Sequence, residues 1–381
     1  MKKKAIITII VAAVIVIGGG FAFKAHATDS KEHKAATEQA QKVAQAKAEQ
    51  DQTSAAMKTF EENKGHTASN QYLGYINPYE NWFKPQEIVP GQNIIKSAES
   101  YAVPANEVAQ MIAGDYKGTQ KQVFLTFDDG PSTDNTPKIL NILKENGVHA
   151  SFFVIGDHLK SYPAMQQIVR QEIMDGNAVG DHTFTHVYSE LYPNNKIDVP
   201  YFMNQVSETQ QLLGDLMGPN FATHIVRLPG GYMSRAFYHD PNLVSFNAAL
   251  DKDHDTALDW TAETGDSGTT AVLNVNQLIS IMDKDIQSQS NPNQVILLMH
   301  DAGAKKDTVT ALPSVIKYFK DHGYAFKVIE NAPASSFDGI PTVTDTYSNQ
   351  GESLTTKTVT ENGKQVTEKV SDYKGKGYQY N

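Results

Sequence analysis

The chain has 381 residues, with 43 Asp plus Glu against 33 Lys plus Arg, for a net charge of −10. It has no cysteine, which excludes a disulfide scaffold, a thiol nucleophile and a thiolate metal site. The body of the chain, residues 67–337, is acidic and lacks the basic footprint of a nucleic-acid binder, and any metal must be held by His, Asp and Glu.

Lys2, Lys3 and Lys4 precede an apolar run from Ala5 to Phe23, closed by Lys24. A charged segment followed by an apolar one is an export signal. The run approaches the ~20 residues that span a bilayer as a helix, while Ala25-His26-Ala27 fits a cleavage site. Residues 1–27 are therefore expected to be a signal anchor or a signal peptide. Both place the rest outside the cytoplasm, anchored to the membrane by an N-terminal helix or secreted to the cell wall. Residues 28–66, rich in Ala, Gln, Lys and Glu and free of Pro, read as a polar helical stalk or linker.

Residues 67–118 form a small lead-in region with helical patterns over Asn93–Tyr101 and Pro104–Ile112. Gly91, Ile94, Ile95, Ala98, Tyr101, Val103, Val108 and Ile112 resemble the paired helices of a LysM module, which binds N-acetylglucosamine polymers, without that family's final strand. The alternative is a helical lead-in packed on the next domain.

Residues 119–337 alternate strand and helix. Strands are expected at Val123–Phe127, Ala150–Ile155, Ala178–Gly180, Thr223–Leu228, Val295–Met299 and Ala325–Ile329, with a further one at Ala257–Trp260. Helices are expected at Pro137–Asn146, Pro163–Asp175, Val199–Leu216, Asn276–Ser288 and Leu312–His322. Alternating units imply an α/β fold with a parallel sheet, open or closed into a barrel. Residues 338–381 are polar. Asn362-Gly363 is a hairpin signal, but an isolated hairpin is marginal, so this stretch reads as a tail of low order.

Barrel active sites form at the C-terminal strand ends. There the chain carries Asp128-Asp129-Gly130-Pro131, then Asp181-His182-Thr183-Phe184-Thr185-His186, then Arg227-Leu228-Pro229-Gly230-Gly231-Tyr232. Glu263-Thr264-Gly265-Asp266 and His300-Asp301 follow. Each piece alone reads as an ordinary turn, ion pair or core histidine; five in order at five strand ends do not. His182 and His186 share a face if their segment is helical. Two imidazoles plus one carboxylate leave a divalent metal open positions for water and substrate.

In order and content these segments resemble the polysaccharide deacetylases of carbohydrate esterase family 4, the NodB-homology domain. The matching stretches are Thr126–Pro131, His182–His186, Arg227–Pro229 and Leu297–His300; the fourth motif departs, with Ser267 in place of a Trp. The resemblance implies a distorted (β/α)7 barrel and a divalent metal, Zn or Co, on Asp129, His182 and His186. It makes Asp128 the general base, oriented by Arg227, and His300 the general acid, tuned by Asp266. Gly230 would supply an oxyanion N–H beside Tyr232, and Leu297 would seat the acetyl methyl. The implied activity is N-deacetylation of N-acetylglucosamine in peptidoglycan by a hydrolase of linear amides, with lysozyme resistance as its consequence and a monomer as its form. The rivals are an O-acetyl esterase on xylan or other glycans, an N-acetylmuramic acid deacetylase, and a non-catalytic wall-binding protein. A metalloprotease is disfavoured because no H-E-x-x-H helix occurs.

Overall fold

The computed structural model describes residues 82–267 and 273–338, and the backbone of strands at 342–347, 353–361 and 364–369. The expected signal segment 1–27, the stalk 28–66 and residues 67–81 of the lead-in lie outside the described residues. No helix among the described residues is long and apolar enough to cross a membrane.

Among the described residues, nine strands make one sheet: β1 (Ala102–Pro104), β2 (Gln122–Gly130), β3 (Ser151–Val154), β4 (Ala178–Asp181), β5 (Ile225–Val226), β6 (Thr256–Ala257), β7 (Ala262–Glu263), β8 (Gln294–His300) and β9 (Ala325–Glu330). Every pairing in it is parallel. β2 to β6 pair in succession, and β7 pairs β8, which returns to β2. No pairing among the described residues joins β6 to β7. Seven strands thus form a parallel barrel wall with a seam, a distorted form of the expected barrel. β9 adds to the N-terminal half of β2, and β1 adds to β9.

The strands sort their side chains by parity, as a period of two requires. Phe124, Phe153, Ile225, Leu258 and Ile296 form one buried cluster, the barrel interior, which Val108 and Met111 of helix Ala105–Ala113 join. Val123, Leu125, Phe127, Val295, Leu297 and Met299 face the other way, against Ile139, Leu140, Ile168, Val315 and Phe319 of the outer helices. Both faces are covered, so β2 and β8 are buried along almost their whole length and read as apolar runs. Gly147, at φ +63°, ends helix Thr136–Asn146, a conformation in which a Cβ is penalised.

Four expectations need correction. Residues 88–113 are not a LysM-like module but the alternative, a lead-in packed on the next domain: Ile88, Ile94, Ile95 and Ala98 are buried in the outer core, and β1 is a strand of the sheet itself. Asn93–Tyr101 contains only a 3-10 turn at Lys96–Ala98, because Ile95 bridges back to Ile88 and Asn93 donates to the carbonyls of Val179 and Ile329. The single strand over Ala257–Trp260 is instead two two-residue strands, β6 and β7, flanking the seam. Beyond residue 338 the described residues form three antiparallel strands, β10 (Thr342–Tyr347), β11 (Ser353–Glu361) and β12 (Lys364–Lys369). β11 and β12 pair up to Glu361 and Lys364, and the Asn362-Gly363 turn signal itself lies outside the described residues.

Candidate active site

β2 ends in two adjacent carboxylates. Successive strand residues normally point to opposite faces. Here the pairing with β3 shifts register between Asp128 and Gly130, and Asp129 adopts φ +70°. This bulge turns Asp129 toward the same barrel mouth as Asp128.

His182 and His186 follow β4, not on a helix but in a loop with Thr183 at φ +67° and His186 at φ +57°. The helical argument for their spacing is therefore wrong, although the loop brings the rings to 4.8 Å between centroids. Nε2 of each lies 3.3 Å from Asp129 Oδ1. One donor atom from each of Asp129, His182 and His186 falls within 4.8 Å of the others, a possible metal site. The donor set fits a divalent cation: His182 Nδ1 sits 2.8 Å from the Arg227 carbonyl, so it carries the proton and leaves Nε2 a free lone pair. Burial, with His182 beside it, holds His186 down to about 4, in the neutral form a metal needs. Burial opposes a proton on His182, but Asp128 and Asp129 outweigh it and push its pKa up. A cation between these groups would take that proton's place.

Arg227, fully buried, fixes Asp128. It donates from Nη1 to Asp128 Oδ1 at 2.9 Å and to Thr126 Oγ1 at 2.7 Å, while Nε and Nη2 donate to the carbonyls of Leu258 and Asp259. Its guanidinium stacks 4.1 Å from the Phe153 ring centroid. Asp128 lies 3.9 Å from His182 Nε2, at the edge of the possible metal site.

His300 closes β8, opposite Asp128 in register. Its Nδ1 is 2.9 Å from Asp266 Oδ1, and its backbone N–H donates to Asp266 Oδ2 at 2.8 Å. Thr308 Oγ1 donates to the same Oδ2 at 2.6 Å. Burial works against a charge on His300. The hydrogen bond and charge of Asp266, aided by Asp129 and Asp128, nevertheless raise it from 6.5 to about 9.

Gly230 stands exposed at the mouth at φ +76°, and its N–H has no hydrogen-bond partner among the described residues. Two expected residues lie elsewhere. Leu297 packs in the outer core, since parity puts it on the face away from His300; Leu298 holds the position on His300's face. Tyr232 is buried with its hydroxyl 3.0 Å from Asn247 Oδ1, and burial pushes that hydroxyl up to about 12.

Three contributors escaped the sequence reading. Asp259 accepts the N–H groups of Tyr232 and Met233, both at 2.7 Å, and so anchors the start of helix Tyr232–Phe237 behind Gly230. Trp260 packs where a Cβ on Gly231 would meet its ring at 3.0 Å. His158, largely buried, feels the charge of Asp129. Asp259 was hidden by the expected strand over Ala257–Trp260, which the structure ends at Ala257; nothing local marked His158.

The family model described as polysaccharide deacetylase matches residues 115–244. The Bacillus subtilis protein YheN, whose name assigns it to the polysaccharide deacetylases, is 33% identical over 55% of this chain and 68% of its own length. The chain belongs to the polysaccharide deacetylase family. A peptidoglycan-N-acetylglucosamine deacetylase of Bacillus cereus is 27% identical over 67% of this chain and 86% of its own. The solved structure of a Streptococcus mutans CE4 esterase superposes with a TM-score of 0.59 at 37% identity, covering 65% of this chain and 99% of that one. This polysaccharide deacetylase is thus a hydrolase of a metal-dependent family. The family match stops at residue 244, and Asp266 and His300 complete the site from beyond it.

Proposed function

We propose that the chain removes the N-acetyl group of N-acetylglucosamine in cell-wall peptidoglycan by metal-dependent hydrolysis. The observation that carries this is one mouth holding three things: a donor set of two imidazoles and a carboxylate, a second carboxylate fixed by Arg227, and an imidazole held cationic by Asp266. Asp129, His182 and His186 would hold the cation, with Zn favoured and Co acceptable to the same donors. When bound, it lowers the pKa of water toward ~7 and polarises the acetyl carbonyl.

Asp128 takes the proton of the attacking water, because its second oxygen is not committed to Arg227. Gly230 donates its free N–H to the oxyanion, where a preorganised donor acts best. His300 Nε2 protonates the departing amine, which cannot leave as an amide anion. Asp266 keeps that proton in place through Nδ1. Leu298, on the face of His300, takes the role of seating the acetyl methyl.

Peptidoglycan is supported by the named activity of the Bacillus cereus relative and by the export signal at Lys2–Lys4 and Ala5–Phe23. The chain would then act outside the membrane, anchored or secreted, as a monomer on glycan strands, and lysozyme resistance would follow. An O-acetyl esterase is the second reading, favoured by the similarity to the Streptococcus mutans CE4 esterase and to a relative named bifunctional xylanase/deacetylase. Acetate release by the full chain, chelated and then reloaded with Zn²⁺, decides between them on peptidoglycan, a chitin oligomer and acetylxylan. Metal-dependent release from peptidoglycan supports the proposal. Release from acetylxylan alone replaces it with the esterase.

A further inference from the structure

Exposed large apolar side chains among the described residues gather in two short segments: Val187 (38%), Tyr188 (44%), Met233 (46%), Phe237 (75%) and Tyr238 (59%). Both segments border the site. Val187 and Tyr188 directly follow His186, and Met233 to Phe237 lie on the helix that Gly230-Gly231 leads into, which Tyr238 caps. A cluster of exposed aromatic side chains beside a reaction centre marks a binding surface rather than scatter.

The rings are held in place from below. Arg235 is buried to 1% exposure, and its guanidinium carbon lies 4.5 Å from the Tyr192 ring centroid, 5.7 Å from Tyr188 and 5.9 Å from Tyr238. Nη2 donates to Tyr188 Oη at 3.1 Å, and Nη1 to Asn195 Oδ1 at 2.9 Å. Phe237 meets Tyr238 edge-on at 5.2 Å between centroids. The surface is continuous with the catalytic mouth: a Cβ on Gly230 would sit 2.8 Å from Tyr188 Oη and 3.0 Å from its Cε2. The residue that offers the free N–H is therefore in contact with the first ring.

We propose that Tyr188, Phe237 and Tyr238 form a stacking platform for the pyranose ring next to the one being deacetylated. Its ligand class is a β-linked N-acetylhexosamine oligosaccharide, and the proposal rests on the glycan reading of the site above. A pyranose presents C–H groups on one face, which carry partial positive charge and suit the negative face of an aromatic ring. Its hydroxyls remain at the rim, where water and the tyrosine hydroxyls meet them. Arg235 pre-organises Tyr188 and Tyr238, so little ordering is left to be done on binding. Nothing anionic is required of the ligand, since the Arg235 cation beneath the rings is already enclosed by them and by Asn195.

The test is calorimetric binding of chitohexaose to the full, metal-loaded chain carrying His300→Ala to suppress turnover, with Phe237→Ala, Tyr238→Ala or Phe237→Trp added. Both rings are more than half exposed, so their removal spares the fold, which circular dichroism checks. The expected result is a roughly tenfold loss of hexamer affinity in each alanine variant, recovered in Phe237→Trp. Equal affinity in the alanine variants overturns the platform, and so does a parent that does not bind the hexamer. Platform-dependent binding with no acetate release from the unmutated chain would sink the deacetylase reading and leave the platform standing. Acetate release with an unchanged hexamer KM in both alanine variants would do the reverse.

Discussion

The acid role proposed for His300 depends on Asp266, which grips it twice, through Nδ1 and through the backbone N–H. Replacing the imidazole by His300→Ala is expected to lower turnover on the order of 10²–10⁴-fold. Metal should stay stoichiometric by elemental analysis, because His300 lies outside the donor set. His182→Ala is the contrasting case: it removes a proposed ligand, and metal content itself should fall. Retention of full metal in that variant would refute the donor assignment. The pH dependence follows from the raised pKa. His300 is protonated below about 9, so the rate should hold as pH rises and decline through about 9. Asp266→Asn removes the charge that raises it. The alkaline limb of the pH–rate profile should then move down toward the ordinary histidine value of ~6.5. An unmoved limb would mean that another group donates the proton.

Short local devices at the ends of elements do the positioning. The bulge in β2 sends Asp129 to the face of Asp128, and the loop after β4 spends two left-handed residues on aiming two imidazoles. Strained backbone of this kind persists only where neighbours over-determine it. Helix Tyr232–Phe237 begins on the Asp259 carboxylate, which caps two N–H groups at 2.7 Å. Asp259→Ala should cost about 1–2 kcal/mol of stability as a lost cap. It should also raise KM for glycan, because Gly230 and the aromatic rings on that helix lose their anchor. A thermal melt reads the first effect and acetate-release kinetics the second. A KM that does not change would separate the helix from substrate binding.

For the molecule as a whole, the barrel is completed by chain that precedes it. Ile88, Ile94, Ile95 and Ala98 fill the outer core, and β1 lengthens the sheet beyond β9. The deacetylase domain therefore starts well before residue 119. A chain beginning at residue 119 should fail to unfold cooperatively on heating, whereas one beginning at residue 82 should melt as a single transition. Ile94→Ala in the full chain should cost about 2–5 kcal/mol, the range for a large-to-small change at a fully buried site. Cooperative melting of the 119 form at the full chain's temperature would restore the lead-in as an appendage.

The parallel α/β class and the strand-end positions of Asp128, Asp129, His182, His186, Arg227 and His300 were all legible in the chain. Buried parallel strands are written as apolar runs, and chemistry collects at their C-terminal ends. Asp266 was legible as a strand-end carboxylate, but its tie to His300 only through the family resemblance. Its carboxylate meets the ring of His300 across 34 residues, a contact that no local pattern encodes. Parity separated Leu298 from Leu297, and parity depends on which face of β8 the barrel encloses. The lead-in misled for the same reason. Isolated apolar spacings such as Ile94, Ala98 and Tyr101 are compatible with a helix, and only the core that receives them decides whether one forms. Local sequence sets the turns, the strands and the identity of the reactive groups. The tertiary structure decides which groups meet, because meeting depends on closure of a sheet whose strands lie far apart along the chain.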